Sequence, residues 1–144
     1  MSNLNIKIRE GLDNMDFEKV AEMLGKTLWS PGIKTAEVKT GAEHSALVIG
    51  AFCGDIQVGY ARVVSDIIKF AYISDVYVDE NYRHNGIATQ MLRYILSHES
   101  MKRIYRWYLR SAANELYEKV GFVMDTDPSK WMEIRKPNPY IKQN

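Results

Sequence analysis

Val76-Tyr77-Val78-Asp79-Glu80-Asn81-Tyr82-Arg83-His84-Asn85-Gly86-Ile87-Ala88-Thr89-Gln90-Met91-Leu92 is the stretch on which the reading of this chain turns. Its first three residues complete a β-like run that begins at Phe70, and Ile87, Met91 and Leu92 open a helical period continued by Ile95 and Leu96. A strand therefore passes into a helix through the turn Arg83 to Ala88. Gly86 lets backbone come close to a bound group, and Ala88 keeps the next turn small. The first amides of the helix have no acceptor within it. Those amides and the positive end of the helix dipole suit phosphate, to which Arg83 adds charge. A P-loop would need Gly-Lys-Ser/Thr and a dinucleotide fold three spaced glycines, so ATP and NAD readings lose support.

Outward from this stretch the periods alternate. Asn5 to Arg9 reads as a short strand, and Phe17, Val20, Met23 and Leu24 follow at helical spacing. Ser30-Pro31-Gly32 should break that helix, and the polar segment to Ser45 can hold a second short one. Ala46 to Cys53, Val58 to Val64 and Phe70 to Val78 form three consecutive β-like runs, an antiparallel meander. After the helix from Asn85 to about Ser97, Ile104 to Leu109 alternates as a strand. A short helix over Ala112 to Val120 ends at Gly121, and Phe122 to Met124 and Trp131 to Ile134 are strand-like. The order predicts an α/β protein of the α+β type, with helices packed on a mixed, largely antiparallel sheet. Residues 1–136 read as a single domain and residues 137–144, PNPYIKQN, as a frayed C-terminal tail.

The 144 residues, 46% apolar and 26% charged, are enough for one core. Lys plus Arg number 19 against 18 Asp plus Glu, too balanced for a general polyanion binder. The single cysteine, Cys53, closes no intrachain disulfide and reads as a buried or strand-end thiol. His44, His84 and His98 lack metal-ligand spacing, so no metal is expected. The longest apolar runs fall short of a membrane span and the first residues lack a signal-peptide core, so a cytoplasmic location is expected.

The turn resembles the acetyl-CoA-binding motif of the GNAT superfamily of N-acetyltransferases: a strand ending in Val, a short link, an aromatic, then Arg-x-x-Gly-x-Ala. Here these are Val78, Asp79-Glu80-Asn81, Tyr82 and Arg83 to Ala88. A second signature of that family, apolar-Tyr-x-x-x-Gly-Phe, appears as Leu116 to Phe122. The resemblance covers most of the chain in element order and is specific from about Asp75 to Phe122. It implies a GNAT-like fold in which the amides of Arg83, His84, Asn85, Gly86, Ile87 and Ala88 hold the CoA pyrophosphate. The strand Val76-Tyr77-Val78 would pair with the pantetheine arm as an added strand would. It also implies that this strand splays from Ile104 to Leu109 and that a backbone N–H near Val76 or Tyr77 stabilises the developing oxyanion.

The same resemblance makes Tyr117 the residue that faces the cofactor sulfur and protonates the leaving thiolate. The other expected catalytic residue is Asp75. A lysine-like amine of pKa ~10.4 must lose a proton at pH 7, at a cost of about 4.6 kcal/mol. Asp75 could orient a water that accepts it. A glutamate that the histone-acetylating branch carries on this strand is Tyr72 here, and the asparagine that members often carry seven residues before the tyrosine is Arg110. Asn114 is therefore taken as a cofactor contact, with Arg110 or Ser111 as substitutes. Trp29 is expected to line the acceptor pocket, or else to anchor the core. The basic and aromatic run from Lys102 to Arg110 reads most simply as a strand with one solvated face. The expected activity is acetyl transfer from acetyl-CoA to a primary amine, a small molecule before a protein. The alternatives are a non-catalytic acyl-CoA-binding sensor and an acetyltransferase acting on protein or RNA. Nucleic acid and membrane are not expected partners, and a homodimer is left open.

Overall fold

The computed structural model describes residues 4–142. The three central β-like runs form the expected meander: β2 (Leu47–Cys53), β3 (Ile56–Ser65) and β4 (Phe70–Val78) are antiparallel neighbours. Strand β1 (Ile6–Glu10) adds antiparallel to β2, and β5 (Arg106–Tyr108) adds parallel to β4, giving the order β1-β2-β3-β4-β5. The sheet is mixed and the fold α+β, as the element order predicted.

Both faces of the sheet are covered, which explains why β2 and β3 are buried almost throughout rather than alternating. Helices α1 (Phe17–Leu24) and α2 (Thr35–Glu43) cover one face, where Val20, Met23, Leu24 and Val38 pack on Val48, Phe52 and Tyr60. Helix α3 (Ile87–Leu96) and the short α4 (Asn114–Glu118) cover the other, where Ile87, Met91, Leu92 and Ile95 meet Ile49, Val58, Ala61 and Ile73. Asp16 caps α1 through its side chain on the Lys19 amide. Asp16's own amide donates to the buried Gln57 side chain, tying that helix start to β3.

Several expected elements are shorter or absent. Helix α1 stops at Leu24, well before Pro31, so Trp29 sits in a turn and is half exposed, not a core anchor ending the helix. Only Arg106–Tyr108 of the run Ile104 to Leu109 pairs with β4, and the last helix spans Asn114–Glu118 instead of 112–120. Neither Phe122 to Met124 nor Trp131 to Ile134 becomes a strand. Alternation makes a strand only where a partner ladder and a face to bury exist. Here Val123, Met132 and Ile134 are left 83%, 93% and 92% exposed. Trp131 packs edge-on to Tyr108, and Phe122 edge-on to Tyr117.

The C-terminal segment, expected to fray, instead docks. Asn138 Nδ2 donates to the Trp29 carbonyl at 2.9 Å and Tyr140 hydroxyl to Glu37 at 2.6 Å, so residues 137–142 lie against the α1–α2 region. Residues 143–144 of that tail, and residues 1–3 of the expected domain, lie outside the described residues. Among the described residues no helix is long and apolar enough to cross a membrane, and no group of three or more His, Cys, Asp or Glu could hold a metal ion. Cys53 is a free, partly buried thiol at the end of β2.

Candidate active site

Two irregularities of β4 build the site. The first is a β-bulge. Tyr60 pairs with Tyr77 and Arg62 with Ser74, so Ala61 of β3 stands opposite two residues, Asp75 and Val76. Asp75 takes φ +57°, the left-handed region that aspartate tolerates better than most residues. The second is a splay. Parallel pairing of β4 with β5 covers only Phe70–Arg106, Ala71–Trp107 and Tyr72–Tyr108, so among the described residues Ile73 to Val78 has no paired strand on that side. A gap with unpaired backbone opens at the C-terminal half of β4, beside the bulge.

At the end of β4 the chain turns into α3 as the sequence suggested. Asp79 accepts from the Asn81 amide and stabilises a single 3-10 turn, Glu80–Tyr82. Lys19 of α1 reaches Asp79 at 2.9 Å. The Asn81 amide first and Lys19 second hold the Asp79 carboxyl below its usual range, and the Asp79 bond raises Lys19. His84 and Gly86 both have positive φ, +67° and +73°, and this pair of left-handed residues folds the backbone toward the helix start. A Cβ on Gly86 would meet nothing within 4 Å, so that side of the turn is open. No side chain caps α3, which leaves its first amides free for an anion. Arg83 Nε donates to the Val78 carbonyl, and the guanidinium lies 5.1 Å from the Tyr77 ring centroid. The Asn85 side chain is committed to the turn itself, donating to the carbonyls of Tyr82 and Arg83. Ile87 is buried in the core and anchors the helix start, and Ala88 lies partly exposed one residue on.

A protein-family model for the acetyltransferase (GNAT) domain matches residues 44–124, which include the meander, the bulge, the anion turn and α4. The chain belongs to the GNAT acetyltransferase family. Among solved structures, a GNAT-family protein from Xanthomonas campestris superposes with a TM-score of 0.87 at 28% identity, over 96% of this chain and 98% of the other. A GNAT-family acetyltransferase protein from Streptococcus pneumoniae aligns with a TM-score of 0.73 at 21% identity, over 94% and 99% of the two chains. A protein from Clostridium acetobutylicum solved with acetyl-CoA gives 0.68 at 22%, over 91% and 96%. No curated protein sequence matches the chain.

In this GNAT domain the two residues expected to do chemistry belong to opposite faces of the sheet. Tyr117 is buried in the core cluster that also holds Ile87 and Met91, against which Val76 and Val78 pack. Phe122 packs edge-on to its ring, and its hydroxyl bonds the Ser111 side chain. Burial raises its pKa, against a smaller lowering from Ser111. Asp75 instead meets residues of the α1/α2 face: Arg62 Nε at 2.8 Å on one oxygen, and the Trp29 indole N–H at 3.4 Å on the other. Arg62 in turn donates to Ser45 Oγ at 3.3 Å. Trp29 and Asp75, 46 residues apart, are thus brought together, with Trp29 half exposed over the carboxylate.

Asn114 opens α4, and its side-chain amide donates to Met124 Sδ at 3.7 Å. Arg110 pairs with Glu133 on the surface, and Ser111 is the neighbour that reaches Tyr117. In the basic run, Trp107 and Leu109 pack into the core and Arg106 lies over Tyr108, leaving a solvated basic flank. The sequence reading missed Arg62 and the docked Asn138 and Tyr140. Arg62 stood inside an apolar strand as a lone charge, the one signal that could have marked it.

Proposed function

We propose that the chain transfers an acetyl group from acetyl-CoA to a primary amine on a small molecule, by direct attack through a ternary complex. The observation that carries this reading is the coincidence of three features within fourteen residues: the Asp75–Val76 bulge, the unpaired end of β4, and the left-handed turn into an uncapped helix. The residues fit the cosubstrate chemically. Free amides from Arg83 to Ala88 suit its pyrophosphate, and the open side of Gly86 admits it. The exposed backbone of Val76, Tyr77 and Val78 offers strand-like hydrogen bonds to its amide-containing arm, with Asn114 a further contact.

When bound, acetyl-CoA supplies a thioester, and the protein's share is to hold it, polarise it and move protons. A backbone N–H near Val76 or Tyr77, beside the bulge, would receive the negative charge that develops on the carbonyl oxygen. Tyr117, buried and kept protonated by that burial, donates to the sulfur as it leaves. Asp75 and Trp29 face the amine from the other side of the strand, so acceptor and thiol never share one opening. Both Asp75 oxygens already accept one bond, yet a carboxylate has about four lone-pair sites, so it still has capacity for a water or an ammonium.

The near-neutral charge of the 144 residues favours a small acceptor over a protein. The domain is taken as residues 1–136 with the tail docked upon it, and a cytoplasmic setting suits a free thiol and an acetyl-CoA supply. An assay of free CoA thiol across polyamines, amino acids, aminoglycosides and lysine peptides tests the reading. Tight CoA binding with no thiol release from any of them would indicate a non-catalytic sensor. Turnover on lysine peptides alone, or salt-steep binding to RNA, would move the acceptor to a macromolecule.

A further inference from the structure

Tyr60 is wholly buried, and its hydroxyl is the buried side-chain polar atom left without a hydrogen-bond partner among the described residues. Buried polar groups are paired in the great majority of cases, and phenylalanine would fill the same space without the penalty. The hydroxyl therefore needs an explanation.

Its surroundings supply one. Its ring belongs to the apolar core formed with Met23, Leu24, Val38, Val48 and Phe52. Polar groups come from the direction of the bulge: Tyr60 pairs with Tyr77, its neighbour Ala61 faces the extra residue, and the charges of Asp75 and Arg62 both act on the hydroxyl. Burial first, and Asp75 second, push Tyr60 far above the ordinary tyrosine range, so it remains a neutral hydroxyl. Asp75 accepts from Arg62 of β3 and from the Trp29 indole, and its charge reaches the hydroxyls of Tyr60 and, in the C-terminal segment, Tyr140.

Resting on the acetyl-transfer reading above, we propose that the Tyr60 hydroxyl holds a buried water against Asp75, and that this water takes the proton the acceptor amine must lose. A buried water needs two to four polar partners. Tyr60, the open lone pairs of Asp75 and the backbone interrupted at the bulge provide them. The proton count closes. Nitrogen gives up two protons between ammonium and amide. One passes to the water, which hands one of its own to Asp75 and so to solvent beside the half-exposed Trp29. The other leaves to solvent by the same water once the nitrogen–carbon bond has formed, and Tyr117, which gives its proton to sulfur as the carbon–sulfur bond breaks, regains one from solvent, so that one proton is released overall. Tyr60 transfers nothing itself; it is a positioning residue.

A high-resolution crystal structure of the wild-type protein and steady-state kinetics of Tyr60→Phe test this. The expected structure shows solvent density within hydrogen-bond reach of both the Tyr60 hydroxyl and Asp75. The expected variant binds acetyl-CoA as the wild type does and melts no lower. Its kcat falls at least tenfold at pH 7, and the deficit shrinks as pH approaches the pKa of the amine, which then arrives unprotonated. A purely structural role would not produce that pH-dependent recovery. Absence of the solvent peak overturns the proposal whatever the activity, and so does a Tyr60→Phe enzyme with unchanged kcat. Wild-type protein that releases no thiol with any amine overturns the acetyl-transfer reading and the relay with it, while the density still decides the hydration site.

Discussion

Arg62 Nε lies 2.8 Å from Asp75 Oδ2, and this contact ties the regular strand β3 to the point where β4 departs from its ladder. Both side chains are largely buried, 23% and 16% exposed, so the pair is neither a screened surface contact nor a fully desolvated one. It holds an aspartate in a left-handed backbone conformation that costs an L-residue about 1–2 kcal/mol.

Arg62→Met leaves Asp75 charged and short of a partner. We expect a loss of about 2–3 kcal/mol in urea unfolding, between the values typical of surface and buried pairs. Asp75→Gly should be less destabilising than Asp75→Ala by about 1 kcal/mol, because glycine accepts φ +57° and alanine does not. Equal stability of the two variants would remove backbone strain from the account of the bulge.

Gly86 is the second position where positive φ matters. Gly86→Val meets no side-chain clash, since nothing lies within 4 Å of the added Cβ, but it must hold a β-branched residue at φ +73°. The expected cost is about 1–2 kcal/mol, seen as a melting temperature lower by a few degrees. Acetyl-CoA affinity, measured by calorimetry, should fall tenfold or more, because the side chain projects into the space left for the ligand. Arg83→Ala should weaken the same affinity without moving the melting temperature, as its bond to the Val78 carbonyl is exposed.

The anion turn is also where acid should act. Asp79 has a depressed pKa, so its contribution is present above the unfolded aspartate value and is lost as pH falls through the lower, folded value. Lys19 is raised, so its share is complete below the ordinary lysine value and is lost as pH rises through the folded one. Between about pH 4 and pH 10 the pair is intact. Asp79→Asn should therefore lower the melting temperature at pH 7, by a margin that shrinks as pH falls below the usual aspartate value, read by circular dichroism. A variant as stable as the wild type at pH 7 would show that the pair does not hold the turn.

The meander, the helix after it and the anion turn were legible because each is local: apolar period, glycine position and uncapped helix start are all written within 76–92. The bulge was not, since it appears only when β3 and β4 are aligned and Ala61 is found facing two residues. Trp29 was marked as a pocket residue, but its contact with Asp75 joins positions 46 apart that no sequence period relates. The alternation of Trp131 to Ile134 misled for the opposite reason: it is a local strand signal with no ladder to join among the described residues.

The docked C-terminus makes a further difference to Trp29. Asn138 holds the Trp29 carbonyl, and Tyr140 bonds Glu37, whose carboxyl is lowered first by that hydroxyl and then by the Lys34 amide. A chain ending at residue 136 should keep its melting temperature within a few degrees, since these bonds are exposed. It should raise KM for the amine while leaving KM for acetyl-CoA unchanged. An unaltered amine KM would reduce the segment to surface decoration.

Tyr117 gives the sharpest kinetic test. The residue is buried beside Ser111, and burial keeps it protonated beyond the ordinary tyrosine pKa of ~10. A group protonated throughout the neutral range contributes no limb to the pH–rate profile there. Tyr117→Phe keeps the ring against Phe122 and removes only the donor, so acetyl-CoA affinity should persist. We expect turnover at saturating acetyl-CoA to fall several-fold or more, by a factor that stays constant from pH 6 to 9. Ser111→Ala, which frees the hydroxyl without deleting it, should cost less. Turnover unchanged in Tyr117→Phe would take the acid role from Tyr117 and leave the thiolate to solvent. A factor that varies over this range would mean that the hydroxyl is coupled to a group titrating there, in place of acting as a neutral donor on its own.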